Sequence, residues 1–261
     1  MNYTLPFLPQ RESKPRTKGI AMVMDKGLSV EEARNLISAA GHLIDYVKLG
    51  FGTSIATNGL REKINLYRES GISVYTGGTL FEAFLVRDMF DEYRDLMNKY
   101  DIQTIEVSDG SIHIDHQLKC DYISKLAEEF TVLSEVGSKN AGIELDDSEW
   151  INQMSTELAA GSKIVIAEAR ESGTVGIYGK DGSANTDLID KIHDNIPENK
   201  ILWEAPHKSQ QAWFIRHFGP QVNLGNIAPT EIIALETLRL GLRGDTFFEF
   251  LSDDMKVKYK T

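Results

Sequence analysis

Residues 131–139 read TVLSEVGSK: a β-branched and apolar run of strand length that ends on an acid and a glycine. After Asp147 and Ser148 the chain turns to EWINQMSTELAA, a segment of helical period. This order of strand, charged turn and helix recurs along the whole chain. Comparable short runs stand at 20–24, 46–49, 72–75, 104–107, 163–167, 201–203 and 221–224, so eight strand candidates follow one another with ends 20 to 36 residues apart. That spacing is close to the ~30 residues of a strand–helix–strand unit. Helix starts lie between them: Ser29 precedes VEEARNLISAA, Asn58 or Gly59 precedes LREKINLYRES, and Thr79 precedes one long segment, LFEAFLVRDMFDEYRDLMNKY. Ser209 and Thr230 open the last two large helices.

Eight such units in 261 residues predict a single-domain α/β fold, the (β/α)8 TIM barrel, whose typical length is ~250 residues. Residues 20–261 are expected to form the barrel. Residues 1–19, with the basic run RESKPRTK (11–18), read as a solvated leader. An open doubly wound sheet would carry a glycine fingerprint after an early strand, but Gly50-Phe51-Gly52-Thr53-Ser54-Ile55 lacks the third glycine and a phosphate-loop lysine.

The composition, 41% hydrophobic and 26% charged, is that of an ordinary globular chain. Against 28 Lys and Arg stand 39 Asp and Glu, a net charge of -11 that excludes nucleic acid and anionic membranes as expected partners. No stretch approaches the ~18 apolar residues of a membrane span. Pro6 and Pro9 break the N-terminal apolar patch, basic residues follow it, and Cys120 is the single cysteine, so the expectation is a cytoplasmic protein. Phe247, Phe248 and Phe250 read either as a contact in a homo-oligomer or as a cover for the barrel.

In a barrel the C-terminal strand ends converge on one mouth. The residues expected there are unusually charged: Asp25, Lys26, Lys48, Glu106, Asp109, Glu135, Lys139, Glu168, Arg170, Glu171, Glu204, His207 and Lys208, with Asn223 and Asn226 after the last strand. Glu106, Glu135 and Glu168 end three successive strands and could face one hard cation such as Mg2+. Salt bridges to Lys48, Lys139 and Arg170 would satisfy the same acids without metal. The loop GNIAPT (225–230) leads into a helix start and suits a phosphate, and Arg170 suits a bidentate contact to a carboxylate or phosphate. His113 and His116 have no third soft ligand nearby and read as surface residues, and Cys120 reads as packed or exposed rather than nucleophilic.

The strings MVMDKG (22–27), KLGFGT (48–53), GGTLFE (77–82), EVSDGS (106–111), EVGSK (135–139), EARESG (168–173), WEAP (203–206) and NLGN (223–226) fall in order at the expected strand ends. In these the chain resembles the phosphosulfolactate synthases, barrel lyases associated with coenzyme M biosynthesis; Phe51 stands where that family tends to have tryptophan. The resemblance implies a Mg2+-dependent addition of sulfite to phosphoenolpyruvate, giving (2R)-O-phospho-3-sulfolactate through an enediolate-like intermediate. Under it Lys139 is the expected proton donor, with Lys48 and Arg170 as cationic partners and Glu106, Glu135 and Glu168 as metal ligands. Asp25, Ser172, Gly173, Glu204, Asn223, Gly225 and Asn226 are the expected substrate-binding residues. Two other readings stay open on the residues alone: a Schiff-base aldolase using Lys48 or Lys139, and a non-catalytic, stress-associated barrel.

Overall fold

The computed structural model describes residues 5–137, 145–169 and 172–259. Its frame is eight strands: β1 (Ala21–Asp25), β2 (Tyr46–Leu49), β3 (Ser73–Thr76), β4 (Thr104–Val107), β5 (Thr131–Val136), β6 (Ile164–Ala167), β7 (Ile201–Glu204) and β8 (Leu224–Ile227). All ladders are parallel and run in the order β3-β2-β1-β8-β7-β6-β5-β4, a nearly closed (β/α)8 barrel. The helices between are α1 (Val30–Ala40), α2 (Leu60–Glu69), α3 (Gly78–Leu85), α4 (Phe90–Lys99), α5 (His116–Ala127), α6 (Asp147–Ala159), α7 (Thr186–Asn195), α8 (Lys208–Phe218) and α9 (Ile232–Arg239). A last short helix, α10 (Asp253–Tyr259), follows them. None of the described helices is long and apolar enough to cross a membrane.

Side chains alternate across each strand, and the alternation sorts the core into two layers. Ile20, Met22, Tyr46, Tyr75, Leu133, Ile164, Ile166 and Leu202 fill the barrel interior. Their neighbours Val23, Val47, Val74, Val132, Val165, Ile201 and Trp203 pack outward beneath the helices. Helix starts are set locally: Ser29 accepts the Glu32 N–H at 3.2 Å while Glu32 accepts the Ser29 N–H at 2.8 Å. Asp146 and Glu149 form the same reciprocal cap on α6, at 2.9 Å both ways.

Two expectations are corrected. The long segment after Thr79 is two helices, α3 and α4, broken where Asp88 takes a left-handed φ of 54°. The last strand begins at Leu224, three residues later than expected. The basic run after residue 10 keeps Glu12, Ser13, Pro15, Thr17 and Lys18 exposed, while Arg11 and Arg16 strap it across the N-terminal end of the barrel. There Arg11 binds Glu236 at 3.0 Å and the carbonyls of Gly19 and Pro220, with its side chain only 10% exposed. Arg16 binds Asp45 at 3.1 Å, and Asp45 in turn accepts the Ala21 N–H at 2.9 Å. The fully buried Arg239 donates to the carbonyls of Pro220, Val222 and Ile20 beneath them.

No backbone ladder joins β3 to β4. Side chains bridge that seam instead. Glu106 Oε1 accepts the Gly78 N–H at 2.6 Å, and in the opposite direction Glu82 on α3 accepts from Ser108 Oγ and from the Ser111 N–H at 3.0 Å. The approach is so close that a Cβ on Gly78 would lie 2.1 Å from Ser108 Oγ.

Candidate active site

Two residues beyond Tyr46, Leu133, Ile166 and Leu202 in the apolar interior come Lys48, Glu135, Glu168 and Glu204. The period of two that points the first set inward points the second set inward as well, one pleat nearer the C-terminal mouth. A charged layer therefore sits directly on an apolar one. Lys48 Nζ lies 2.9 Å from Glu106, 3.1 Å from Glu135 and 3.4 Å from Glu204, every one of these side chains buried. Glu135, Glu168 and Glu204 each bring a carboxylate oxygen to within 4.8 Å of the others. Above them opens a cavity of about 470 Å³, lined by these four acids with Met24, Lys48, Phe51, Gly77, Thr79, Ser111, Ser172 and Asn226. A wider groove of about 920 Å³ on the outer face, near Arg34, Arg61 and Tyr100, is open and is not lined by this charged layer.

Burial drives the electrostatics of the layer. On its own it would lower the pKa of Lys48, but Glu106, Glu135 and Glu204 overcome it and hold the ammonium well above its ordinary value. Burial raises Glu106, against the pull of Lys48 and with repulsion from Glu135. It pushes Glu204 up to about 7, with Lys48 opposing and Glu135 and Glu106 adding to the rise. Beneath the acids, Tyr75 is fully buried and kept neutral by desolvation first, and its hydroxyl has no hydrogen-bond partner among the described residues.

Among the described residues, four buried carboxylates gather around the Lys48 ammonium and the cavity above it. Buried acids this close together are stable only if cations balance them or protons are retained. Three hard oxygen donors from adjacent strands, converging on one point, suit a divalent cation of the Mg2+ kind. Glu106 is differently placed from that trio. Its Oε1 serves Gly78 and Lys48, while its Oε2 has no hydrogen-bond partner among the described residues. Glu204, expected from the sequence among the substrate-binding residues, lines the cavity and also completes the converging set.

The other expected site residues divide. Ser172 and Asn226 line the cavity; Asn226 has a left-handed φ of 57° and an Oδ1 without a hydrogen-bond partner among the described residues. Gly173 lies behind the rim, where its carbonyl accepts from Gln210 Nε2 at 2.9 Å on α8. Asp25 is occupied elsewhere: its oxygens take the N–H groups of Gly27 and Leu28, Tyr67 Oη at 3.1 Å and the buried Lys63 Nζ at 2.9 Å. Asn223 is at the opposite end of the barrel from the mouth, accepting the Ile20 N–H at 2.9 Å and donating to Ile201 O at 3.0 Å. Gly225 faces the barrel interior, where a Cβ would lie 2.8 Å from Met22 Cε. Both placements follow from the later start of β8. Lys139, Arg170 and Glu171 lie outside the described residues.

Sequence reasoning passed over Phe51, Thr79 and Ser111 on the cavity wall and Tyr75 beneath it. Tyr75 carried a signal, since β3 alternates like its neighbours; the loop residues carried none. Phe51 has a left-handed φ of 55° and is 51% exposed at the rim, an uncommon backbone for a bulky side chain. His116 sits beside Cys120 at 3.6 Å on α5, but it also meets Thr156 Oγ1 at 2.8 Å, and burial raises the thiol pKa.

Comparison with known proteins places this geometry. The family model described as (2R)-phospho-3-sulfolactate synthase (ComA) matches residues 9–245. A phosphosulfolactate synthase of Methanothermobacter thermautotrophicus is 42% identical over 244 residues, covering 91% of this chain and 95% of its own. One of Bacillus subtilis is 41% identical over 244 residues, with 92% and 97% covered. Among solved structures, a 3-hexulose-6-phosphate synthase superimposes with a TM-score of 0.55 at 16% identity, covering 84% of this chain and 99% of its own, a likeness of fold.

Proposed function

Because the chain belongs to the (2R)-phospho-3-sulfolactate synthase family, we propose that it adds sulfite to phosphoenolpyruvate, with Mg2+, to give (2R)-O-phospho-3-sulfolactate. The observation that carries this reading is the charged layer at the mouth: a buried lysine ringed by acids, with three acids that converge on one point. The sulfur lone pair attacks the methylene carbon of phosphoenolpyruvate. The π electrons pass to C2 and are delocalised into the carboxylate, and C2 then takes a proton.

The chain's task is to hold charge that grows on a carboxylate. Glu135, Glu168 and Glu204 would hold the divalent cation, which when bound offsets that growing charge. Lys48, kept as an ammonium by its acids, presents a fixed positive charge on the same wall. That charge state also counts against imine formation through Lys48, since the nucleophile there would be the neutral amine. Thr79, Ser111, Ser172 and Asn226 put short polar side chains on the wall, suited to substrate oxygens. In this reading Lys139 delivers the proton to C2 and Arg170 binds phosphate or carboxylate. The net charge of -11 makes this local cationic focus necessary, because both substrates are anions.

The test is direct. Protein, Mg2+, sulfite and phosphoenolpyruvate are mixed and the enol absorbance is followed, with sulfite omitted in one control and a chelator added in another. Sulfite-dependent, chelator-sensitive loss of the enol is expected, with Lys139→Ala chiefly lowering kcat and Arg170→Ala chiefly raising KM. Persistence of the enol with all components present overturns the reading.

A further inference from the structure

Outside the charged layer, Lys119 on α5 is a buried cation whose side chain has no exposure at all. Its Nζ lies 2.8 Å from Asp109 Oδ1 in the loop after β4, 2.8 Å from Glu157 Oε1 on α6, and 2.7 Å from the main-chain oxygen of Glu135 at the end of β5. Two of its N–H bonds go to Asp109 and to the Glu135 carbonyl, and Glu157 stands beside it as an ion-pair partner. A buried ion pair is weak evidence for stability, since an apolar pair of similar volume often serves as well or better. What an apolar pair cannot do is bind the Glu135 carbonyl and the β4 loop at a single point.

We propose that Lys119 is a positioning residue: by joining the Glu135 carbonyl to Asp109, it sets the direction in which the Glu135 carboxylate enters the layer around Lys48. The same tie steadies the loop that runs from Asp109 to Ser111, where Ser111 lines the cavity and its N–H is held by Glu82. Lys119 is thus the joint between two strand ends on the mouth and a helix behind them. Its effect on turnover rests on the proposed function; its effect on the geometry of the rim does not.

The single variant Lys119→Met leaves Glu157 buried without its cation and is expected to unfold readily. The charge-balanced double variant Lys119→Met/Glu157→Met removes both ions and is the informative one. Expected are a Tm within about 3 °C of the parent, because the two apolar side chains replace the pair, and a kcat reduced at least tenfold, about 1.4 kcal/mol of transition-state stabilisation. Amide hydrogen exchange is expected to quicken at residues 107–112 and 134–137 while β1 to β3 keep parental rates. Parental kcat in the double variant overturns the proposal, as does exchange that is unchanged or raised evenly through the barrel. If the parent itself leaves sulfite and phosphoenolpyruvate unconsumed, the proposed function falls, and the exchange pattern alone decides the role of Lys119.

Discussion

Replacing Lys48 by methionine is expected to make the stability of the barrel steeply dependent on pH. The side chain is the cation common to Glu106, Glu135 and Glu204, at 2.9, 3.1 and 3.4 Å. Removing one partner of a buried ion pair costs about 3–5 kcal/mol, provided that the charges left behind stay ionised. They need not stay ionised. Glu204 already titrates at about 7 in the presence of Lys48, against about 4.3 for an unfolded glutamate. Its folded pKa is raised, so its contribution is present at low pH and is lost as pH rises through the folded value. Without Lys48 the acids are raised further, and the folded variant keeps at least one proton that both the folded parent and the unfolded chain release. Each such proton lowers stability by about 1.4 kcal/mol per pH unit through this window. The loss relative to the parent is therefore expected to be about 1–2 kcal/mol at pH 5 and about 3–5 kcal/mol at pH 7.5. Urea titrations followed by the fluorescence of the buried Trp203 measure it at both pH values. An equal loss at the two, or none at pH 7.5, refutes the reasoning.

Arg11→Ala and Arg16→Ala each break hydrogen-bonded ion pairs at the end of the barrel remote from the mouth. Each is expected to cost about 1–3 kcal/mol, roughly 2–10 °C in Tm, with KM for phosphoenolpyruvate unchanged in a thermal scan paired with kinetics. Gly78→Ala drives a Cβ against Ser108 Oγ, which Glu82 holds in place, so the β3–β4 seam must widen. The expected cost is about 1–3 kcal/mol by denaturant melt, with faster amide exchange in β3 and β4 before other strands.

Much of the barrel and of its charged mouth was legible in the chain. The alternation that marks Leu133 as inward marks Glu135 as inward too, and the same holds for Ile166 and Glu168 and for Leu202 and Glu204. What misled was the eighth strand. LGNI, with a glycine and an asparagine inside it, reads less like a strand than the QVNL before it, and a three-residue offset carried Asn223 to the wrong end. The identity of the converging acids was hidden for another reason. Whether Glu106 or Glu204 joins Glu135 and Glu168 depends on a backbone amide, that of Gly78, claiming Glu106 across a gap that no pattern announces. The strap at the other end was hidden by distance, since Arg16 meets Asp45 29 residues away and Arg11 meets Glu236 225 residues away.

The seam makes Glu106 answer to two masters. Seven of the eight staves of the cylinder are hooped to the next by peptide hydrogen bonds, and the eighth junction is pinned by two acids, Glu82 and Glu106, of which the second also faces the cavity. Protonating that acid, or exchanging it for glutamine, is expected to disturb the seam and the cavity wall in one stroke. A drop in turnover after substitution at Glu106 accordingly mixes shape with chemistry, whereas the same drop at Glu168, which directly follows a strand laddered on both sides, reports the chemistry more cleanly.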